Sequence, residues 1–411
     1  MLLDYKTQNF GCFKNEVKFS LIPGKVTTRF QDNVTVINNK LKVSKIAVIA
    51  GENAGGKTLF MTSLDFLRNL IKGNVGKTLN SFCYNFDSKI PQKFEISVLI
   101  SEKIYTYQLE IDSYCKIFEK LEIRNFNQSQ KYNKTVFSSK RIKLTDNLEG
   151  KIRSVSATFE NDTDTPFISS KYQSILDNND KSSRFDKFNK FDKLLITLLD
   201  AMGLEVVNPF VTWIKEKLII DTPKNSHLSV FEELEESESN LEIINDDGFF
   251  DIFRLVDSSI IRIDIDDKNP LKETKIIRER TDGSTLITKM EDDSTGVRDF
   301  FTKSIKIWKV IYKDATLFAD EMDKVLNVIL ASKVLSYIKG SEHKGQFIFS
   351  THNAFHLNTI DFMKDQIFFI NKNIDTLSSE IYSLSEFKDY SYTQPDVYTM
   401  YLKGLFGAIP R

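Results

Sequence analysis

Eight consecutive residues near the start of the chain combine glycines, a lysine and a hydroxyl side chain in an order suited to binding phosphate. They read Gly51-Glu52-Asn53-Ala54-Gly55-Gly56-Lys57-Thr58 and fit the pattern G-x-x-x-x-G-K-[ST]. Glycines at these spacings let the backbone wrap close to an anion, so that consecutive amide groups point at it. Lys57 is then expected to reach the β- and γ-phosphates of a nucleoside triphosphate, and the Thr58 hydroxyl to hold Mg²⁺.

The residues on both sides of this loop predict the strand and the helix that such a site requires. Residues 46–50 are apolar and predict a buried strand, and apolar residues recur at helical spacing from Phe60 to Ile71. A helix that begins at the loop adds its positive N-terminal dipole to the anion site. The predicted nucleotide-binding residues of the loop are Gly51, Asn53, Ala54, Gly55, Gly56, Lys57 and Thr58.

A second group of chemically useful residues lies towards the C-terminal end. Residues 315–319 predict a strand, and Asp320 and Glu321 follow it directly. A carboxylate at the end of a strand beside a phosphate loop can hold the metal, so Asp320 joins Thr58 as a predicted Mg²⁺ ligand. Glu321 is then placed to orient and deprotonate the attacking water.

Two further segments lie on either side of these acids in the sequence. Ser294 and Gly296 precede the amphipathic run 297–311, which puts them at a predicted helix N-terminus, again an anion-binding geometry. Residues 346–349 predict a strand that leads into His352, which is expected to contact the γ-phosphate or to position Glu321. The predicted catalytic residues are Lys57, Glu321 and His352.

Composition excludes several classes of protein. The chain has 411 residues, a net charge of −1, 41% apolar and 27% charged residues, which predicts a globular protein with one composite domain or two lobes. The near-zero charge provides no bulk basic field that would attract nucleic acid or a membrane surface. The cysteines, Cys12, Cys83 and Cys115, form no C-x-x-C pair, which argues against a zinc site or a disulfide framework. Without an apolar run of membrane length or a signal peptide, we expect a cytoplasmic protein with no membrane partner.

The region between the two halves of the site changes character along its length. Residues 94–100, 104–111 and 117–123 are β-rich runs separated by turn residues, and they predict an antiparallel lobe. Residues 124–143 are basic with interleaved aromatics, which fits a nucleic-acid face or, the reading we favour, a solvated hairpin surface.

Two later segments have different patterns. Residues 185–203 predict a helix whose phenylalanines and lysines fit a core-facing stripe better than a stacking platform. Residues 231–247 are acidic and predict an exposed segment.

Taken in chain order, these motifs resemble those of an ATP-binding-cassette-type (ABC-type) ATPase head of the SMC/RecF kind. The order is Walker A (residues 51–58), a long lobe, a Ser-x-Gly signature (294–296), Walker B with its glutamate (320–321) and a switch histidine (352). More narrowly, the chain resembles the AAA-family ATP-binding proteins of bacterial anti-phage and abortive-infection systems, of the RloA, AbiLi and AriA kind. The narrower resemblance is carried by Asn9-Phe10-x-x-Phe13, Asp293-Ser294-Thr295-Gly296, Ser350-Thr351-His352-Asn353 and the tail segments 382–387 and 401–410. The chain departs from the pattern at Asn327-Val328, where the family often has His-Pro, and at Val297, and Gln92 is only a weak candidate for the Q-loop glutamine.

The resemblance implies an α/β P-loop NTPase of ABC-ATPase type, with a mixed central sheet, helices on both faces, an antiparallel β lobe and a helical insertion. The implied division is a core of residues 1–75 and 275–411, a β lobe of 76–150 and an insertion of 151–274. It also implies ATP and Mg²⁺ as cofactors and a split site, in which Ser294 and Gly296 of a second copy close over the nucleotide in a head-to-tail dimer.

The function that the resemblance implies is a sensor or switch in phage defence that acts with a separately encoded effector. The alternative is a DNA-binding repair ATPase like RecF, for which residues 124–143 are the only support. A transporter subunit ranks lowest, because the signature is atypical and the interval between the Walker motifs is too long.

Overall fold

The computed structural model describes the chain except for residues 27, 74–82, 85–89, 113–115, 146–151, 160–192, 223–237, 389, 391–396 and 409–411. The strands are β1 Leu2–Gln8, β2 Val17–Ser20, β3 Val34–Val36, β4 Lys42–Ser44, β5 Ile46–Gly51, β6 Gln92–Ile100, β7 Lys103–Asp112, β8 Lys116–Asn125, β9 Lys134–Thr145, β10 Ile152–Phe159, β11 Leu218–Asp221, β12 Ile260–Asp264, β13 Lys275–Glu279, β14 Thr285–Lys289, β15 Thr316–Ala319, β16 Gln346–Thr351, β17 Ile367–Lys372 and β18 Ser379–Ser383.

The α-helices are α1 Lys57–Ile71, α2 Leu195–Ala201, α3 Asn208–Thr212, α4 Glu238–Ile244, α5 Asp247–Phe253, α6 Thr295–Tyr312, α7 Val328–Gly340 and α8 Val397–Leu402, with a π-helical turn at Trp213–Lys217. Short 3₁₀ turns lie at Thr28–Asn33, Gln130–Tyr132, Met290–Asp292, Met322–Lys324, Ala354–His356, Lys364–Gln366 and Leu384–Glu386. The predicted strands at 46–50, 315–319 and 346–349 and the predicted helices at 60–71 and 297–311 are confirmed, with ends that differ by a few residues.

The central sheet has the strand order β11-β15-β16-β5-β17-β18. Its first five strands are parallel, and β18 is antiparallel to β17. Strands covered on both faces carry apolar residues at successive positions, and every residue of β5 is buried. Because successive side chains point to opposite faces, Ala47 and Ile49 enter one hydrophobic core while Ile46 and Val48 enter the other.

Each face of the central sheet is covered by different elements. On one face α1 packs through Phe60 and Leu64, in a core shared with the antiparallel sheet. On the other face α5, α6 and α7 pack through residues that include Phe249, Phe300 and Val334. The mixed sheet with helices on both faces is therefore confirmed.

The predicted antiparallel runs are confirmed as β6, β7 and β8, in a sheet ordered β10-β9-β8-β7-β6-β1-β2. The predicted division into core, β lobe and insertion stays a prediction, and sheet membership does not follow it. Strands β1 and β2 belong to the antiparallel sheet, whereas β11 extends the central sheet, because backbone pairing joins segments that are distant in the sequence.

Residues 124–143 run from the end of β8 into β9. Phe137 is fully buried and Phe126 packs against the core, so two of the three aromatics point inwards and only Tyr132 is largely exposed. Base stacking needs an exposed ring, so this geometry favours the hairpin surface over a nucleic-acid face.

The middle region is described only in part. Of the predicted helix 185–203, residues 185–192 lie outside the described residues, and helix α2 begins at Leu195, after an extended Leu194. Of the acidic segment, residues 231–237 lie outside the described residues, and Asp246 is the N-cap of α5, where it accepts a hydrogen bond from the Gly248 amide. None of the described helices has the length and apolar character needed to cross a membrane.

Candidate nucleotide-binding site

The phosphate loop, residues 51–58, joins β5 to α1 and requires glycine at two positions for steric reasons. A Cβ atom at Gly51 would lie 2.4 Å from the Ile370 carbonyl oxygen of the adjacent strand β17. Gly56 has φ +118°, and a Cβ there would lie 2.4 Å from Cys12 Sγ. Asn53 is exposed at the crest of the loop, as is its neighbour Ala54.

Lys57 is buried, and its ammonium group faces the loop. Nζ donates hydrogen bonds to the carbonyl oxygens of Gly51 at 2.8 Å and Glu52 at 2.9 Å, and lies 3.2 Å from His352 Nδ1. Burial lowers the pKa of Lys57 to about 8, although Asp320 and nearby acids pull it upwards. The lysine therefore holds its proton less firmly than an exposed lysine.

Thr58 and Asp320 form the hydroxyl–carboxylate pair that the sequence predicts for the metal. Thr58 Oγ1 donates to Asp320 Oδ2 at 2.6 Å, and Ser350 Oγ donates to the other carboxylate oxygen, Oδ1. Ser350 Oγ also accepts from the Glu321 amide at 2.9 Å. A hydroxyl beside a carboxylate offers the hard oxygen ligands that Mg²⁺ prefers, so these residues fit the ion.

Glu321 and His352 face each other beside this pair. Glu321 has φ +52°, a strained conformation for a residue other than glycine, and such strain is concentrated at functional sites. Its Oε1 lies 3.9 Å from His352 Nε2, while Oε2 contacts the exposed ammonium of Lys324. Burial and the charge of Lys57 lower the pKa of His352. The neutral ring accepts from Lys57 at Nδ1, which leaves the proton on Nε2, towards Glu321.

These residues meet because they follow neighbouring parallel strands. The phosphate loop follows β5, Asp320 and Glu321 follow β15, and His352 follows β16, and β16 lies between β15 and β5 in the sheet. The carboxyl ends of parallel strands share one edge, the usual position for ligands in open α/β sheets.

Ser294 and Gly296 lie apart from this cluster, at the exposed N-terminus of α6. Ser294 is the N-cap, and its Oγ accepts from the Val297 amide at 3.4 Å. Nine residues further along, Lys303 contacts Asp221 at the carboxyl end of β11. At a rise of 1.5 Å per residue, Ser294 lies roughly 13 Å along the helix from Lys303. Within the described part of the chain, Ser294 and Gly296 are both exposed to solvent.

Sequence reasoning missed several residues of the site. Ser350 was noted only within its segment, although it holds both the Walker B carboxylate and the Glu321 amide. Asp221, whose carbonyl accepts from the Asp320 amide at 2.8 Å, carried no signal, because β11 is short and its partners are remote in sequence. Ser379 was missed for the same reason; its hydroxyl donates to the Gly55 carbonyl at 2.6 Å.

Two of the departures from the family pattern have clear structural roles. Asn327 is the N-cap of α7, and its side chain accepts from the Leu330 amide at 2.9 Å. Gln92 is buried and donates to the Asn9 carbonyl at 3.1 Å, a structural contact at the start of β6.

The fold and this site define a P-loop NTPase. Residues 46–358 match the family model described as "AAA domain, putative AbiEii toxin, Type IV TA system". The chain therefore belongs to this family of P-loop ATPases. No curated protein matches the sequence.

Comparison with solved structures finds chains titled as SMC heads over nearly the whole length. The SMC head domain from Thermotoga maritima has a TM-score of 0.44 and 10% identity, covering 93% of this chain and 98% of that one. The Smc head domain with an extended coiled coil, bound to the C-terminal domain of ScpA derived from Pyrococcus furiosus, has a TM-score of 0.39 and 14% identity, with coverages of 93% and 96%. A SmcHead bound to the C-winged helix domain of ScpA has a TM-score of 0.38 and 13% identity, with coverages of 93% and 97%.

Proposed function

We propose that the protein binds and hydrolyses ATP in a nucleotide-sandwich dimer and acts as the sensor or switch of a bacterial anti-phage system whose effector is encoded separately. The observation that carries the split site is the separation of its two halves. His352 contacts Lys57 and Glu321, and Thr58 contacts Asp320. Ser350 joins Asp320 to Glu321, so all of these residues form one network, whereas Ser294 and Gly296 are exposed at the N-terminus of α6.

Each residue of the cluster has a role that its contacts support. Lys57 binds the β- and γ-phosphates, exchanging carbonyl contacts for charge-assisted hydrogen bonds to phosphate oxygens. Thr58 and Asp320 hold Mg²⁺, which neutralises charge on the phosphates. Glu321 orients the attacking water and takes its proton, and the Nε2–H of His352 is placed to orient Glu321 or to donate to the γ-phosphate.

The defence role is supported by the family description, which names a toxin of a Type IV toxin–antitoxin system. A switch needs slow turnover and a dimer that forms with ATP and separates after hydrolysis. The effector would then be held or released according to the state of the dimer. The alternative role in DNA repair is weakened by the inward-pointing aromatics of residues 124–143. An ATPase activity stimulated severalfold by DNA would favour that alternative over the defence role.

The central experiment uses Glu321→Gln, which keeps the shape of the side chain but removes its basicity. We expect ATP binding to persist, hydrolysis to fall by a factor of about 100 or more, and ATP to drive dimer formation, measured by light scattering after size-exclusion chromatography. Lys57→Ala is the matched control and should neither bind ATP nor dimerise. A Glu321→Gln protein that binds ATP and remains monomeric at high concentration would refute the split site. Unchanged ATPase activity in Lys57→Ala would refute the assignment of the phosphate loop.

A further inference from the structure

The three-stranded sheet β12-β13-β14 leads directly into the signature segment, which is residues 293–296. Strand β14 ends at Lys289, and the next residue, Met290, is fully buried in the hydrophobic core. Helix α6 begins at Thr295, so only a short connection separates the anchored methionine from the helix. The conformation of this connection decides how the signature is presented.

Arg278 of β13 contacts that connection through its guanidinium group. Arg278 Nη1 lies 2.7 Å from Asp293 Oδ2, and Nε lies 2.8 Å from Asp257 Oδ2 in the loop before β12. Arg278 Nη1 also donates to Thr288 Oγ1 on β14 at 2.9 Å. The other oxygen of Asp293, Oδ1, accepts from the Ser294 amide at 2.8 Å. A continuous chain of polar contacts therefore runs from the sheet to the signature serine.

The burial of this pair distinguishes it from an ordinary surface contact. The side chains of Arg278 and Asp293 are only 15% and 10% exposed. By contrast, Arg262 and Asp264 on the edge strand β12 form a 2.9 Å pair with side chains that are 67% and 49% exposed. A planar guanidinium that bridges two carboxylates fixes orientation as well as charge, which a lysine cannot reproduce.

We propose that Arg278 is a positioning residue that holds Asp293 and Ser294 in the conformation that receives the γ-phosphate of the nucleotide bound by a second copy. The inference rests on the proposed split site. Arg278 touches neither nucleotide nor reacting atoms; it acts through Asp293. It also neutralises the Asp293 carboxylate, which would otherwise place an unpaired negative charge one residue from the site where a phosphate must approach.

The first test uses one variant to measure the two halves of the site separately, through ATP binding by the monomer and through dimer formation. In Arg278→Gln, ATP binding by the monomer should equal that of the wild type, because the phosphate loop is untouched. Dimer formation in the Glu321→Gln background should weaken by about tenfold or more, since a largely buried charge loses its partner. Arg278→Lys should recover only part of the loss, and Arg262→Gln, the matched surface control on the same sheet, should dimerise like its parent. Wild-type dimerisation by Arg278→Gln would overturn the proposal.

The second test asks whether Arg278 acts in trans. Arg278→Gln is mixed with Lys57→Ala, so that each mixed dimer contains one site with both an intact loop and an intact signature. Lys57→Ala should form no dimer with itself and Arg278→Gln only a weak one, so mixed dimers with one complete site of two should predominate. ATPase activity should then rise severalfold above the sum of the two proteins measured alone, to at most about half of the wild-type value. If Arg278 were needed for folding, or for the phosphate loop of its own subunit, the Arg278→Gln subunit could not supply the working loop and no activity would return.

A reference mixture of Ser294→Arg with Lys57→Ala keeps the two proposals distinguishable. Recovery in both mixtures supports the role of Arg278. Recovery with Ser294→Arg but not with Arg278→Gln overturns the role of Arg278 and leaves the split site standing. Recovery in neither mixture overturns the split site and this inference with it. If Arg278→Gln does not fold, Arg278→Lys takes its place in the mixture and is judged by the same outcomes.

Discussion

The lowered pKa of Lys57 makes nucleotide affinity depend on pH in a range where an ordinary lysine would not titrate. Burial lowers this pKa to about 8 in the free protein. Phosphate oxygens favour the charged ammonium, so binding ATP raises the pKa again and takes up a proton. We therefore expect affinity for ATP to fall as the pH rises through about 8.

The magnitude follows from the fraction of Lys57 that is protonated. One pH unit above the pKa about one-tenth of the protein carries the charge, so the Kd at pH 9 should be about tenfold weaker than at pH 7. At pH 8 each binding event should take up about half a proton. Isothermal titration in two buffers with different ionisation enthalpies measures both quantities. His352 does not interfere, because burial lowers its pKa below the ordinary value and keeps it neutral in this range.

Stability should change with pH in the opposite direction. The folded pKa lies below that of an exposed lysine, so unfolding takes up a proton between about pH 8 and 10.5, and the nucleotide-free protein gains stability as the pH rises through that window. Lys57→Met, which has no charge to titrate, is the reference for the stability measurement. A Kd that stays constant from pH 7 to 9, with no proton uptake at pH 8, would contradict the argument.

Two further predictions follow from local geometry. Gly56→Ala must adopt a positive φ and crowd Cys12 Sγ, which should cost about 1–3 kcal/mol of stability and abolish ATP binding. Adding Cys12→Ala should relieve only the crowding. Wild-type ATP binding by Gly56→Ala would count against the argument. Asp246→Ala removes the N-cap of α5, which accepts from the Gly248 amide, and also the acceptor of the Trp308 indole N–H. The free energy of unfolding should therefore fall by about 1–2 kcal/mol, with the ATP Kd unchanged. Asp247→Ala is the control, and no change in thermal unfolding by Asp246→Ala would refute the capping role.

Much of the site could be predicted because its chemistry depends on residues that are adjacent in sequence. The phosphate loop needs glycine at positions 51 and 56, and the structure shows a neighbouring carbonyl or sulfur where each side chain would begin. The strands before Asp320 and His352 were recognisable as short apolar runs that end in polar residues. The roles assigned to Glu321, His352, Ser294 and Gly296 stay predictions, which the variants described above test.

The sequence by itself determined the class of site, because a strand, a glycine loop and a helix N-terminus are local features of the backbone. Only the tertiary structure decided which distant residues support that site. Asp221 joins Asp320, and Arg278 reaches Asp293, through sheet pairings and ion pairs that no periodicity records. The structure also shows that Phe137, one of the aromatics of the basic segment 124–143, is a core residue. The register of β9 decides which face of the sheet its side chain occupies.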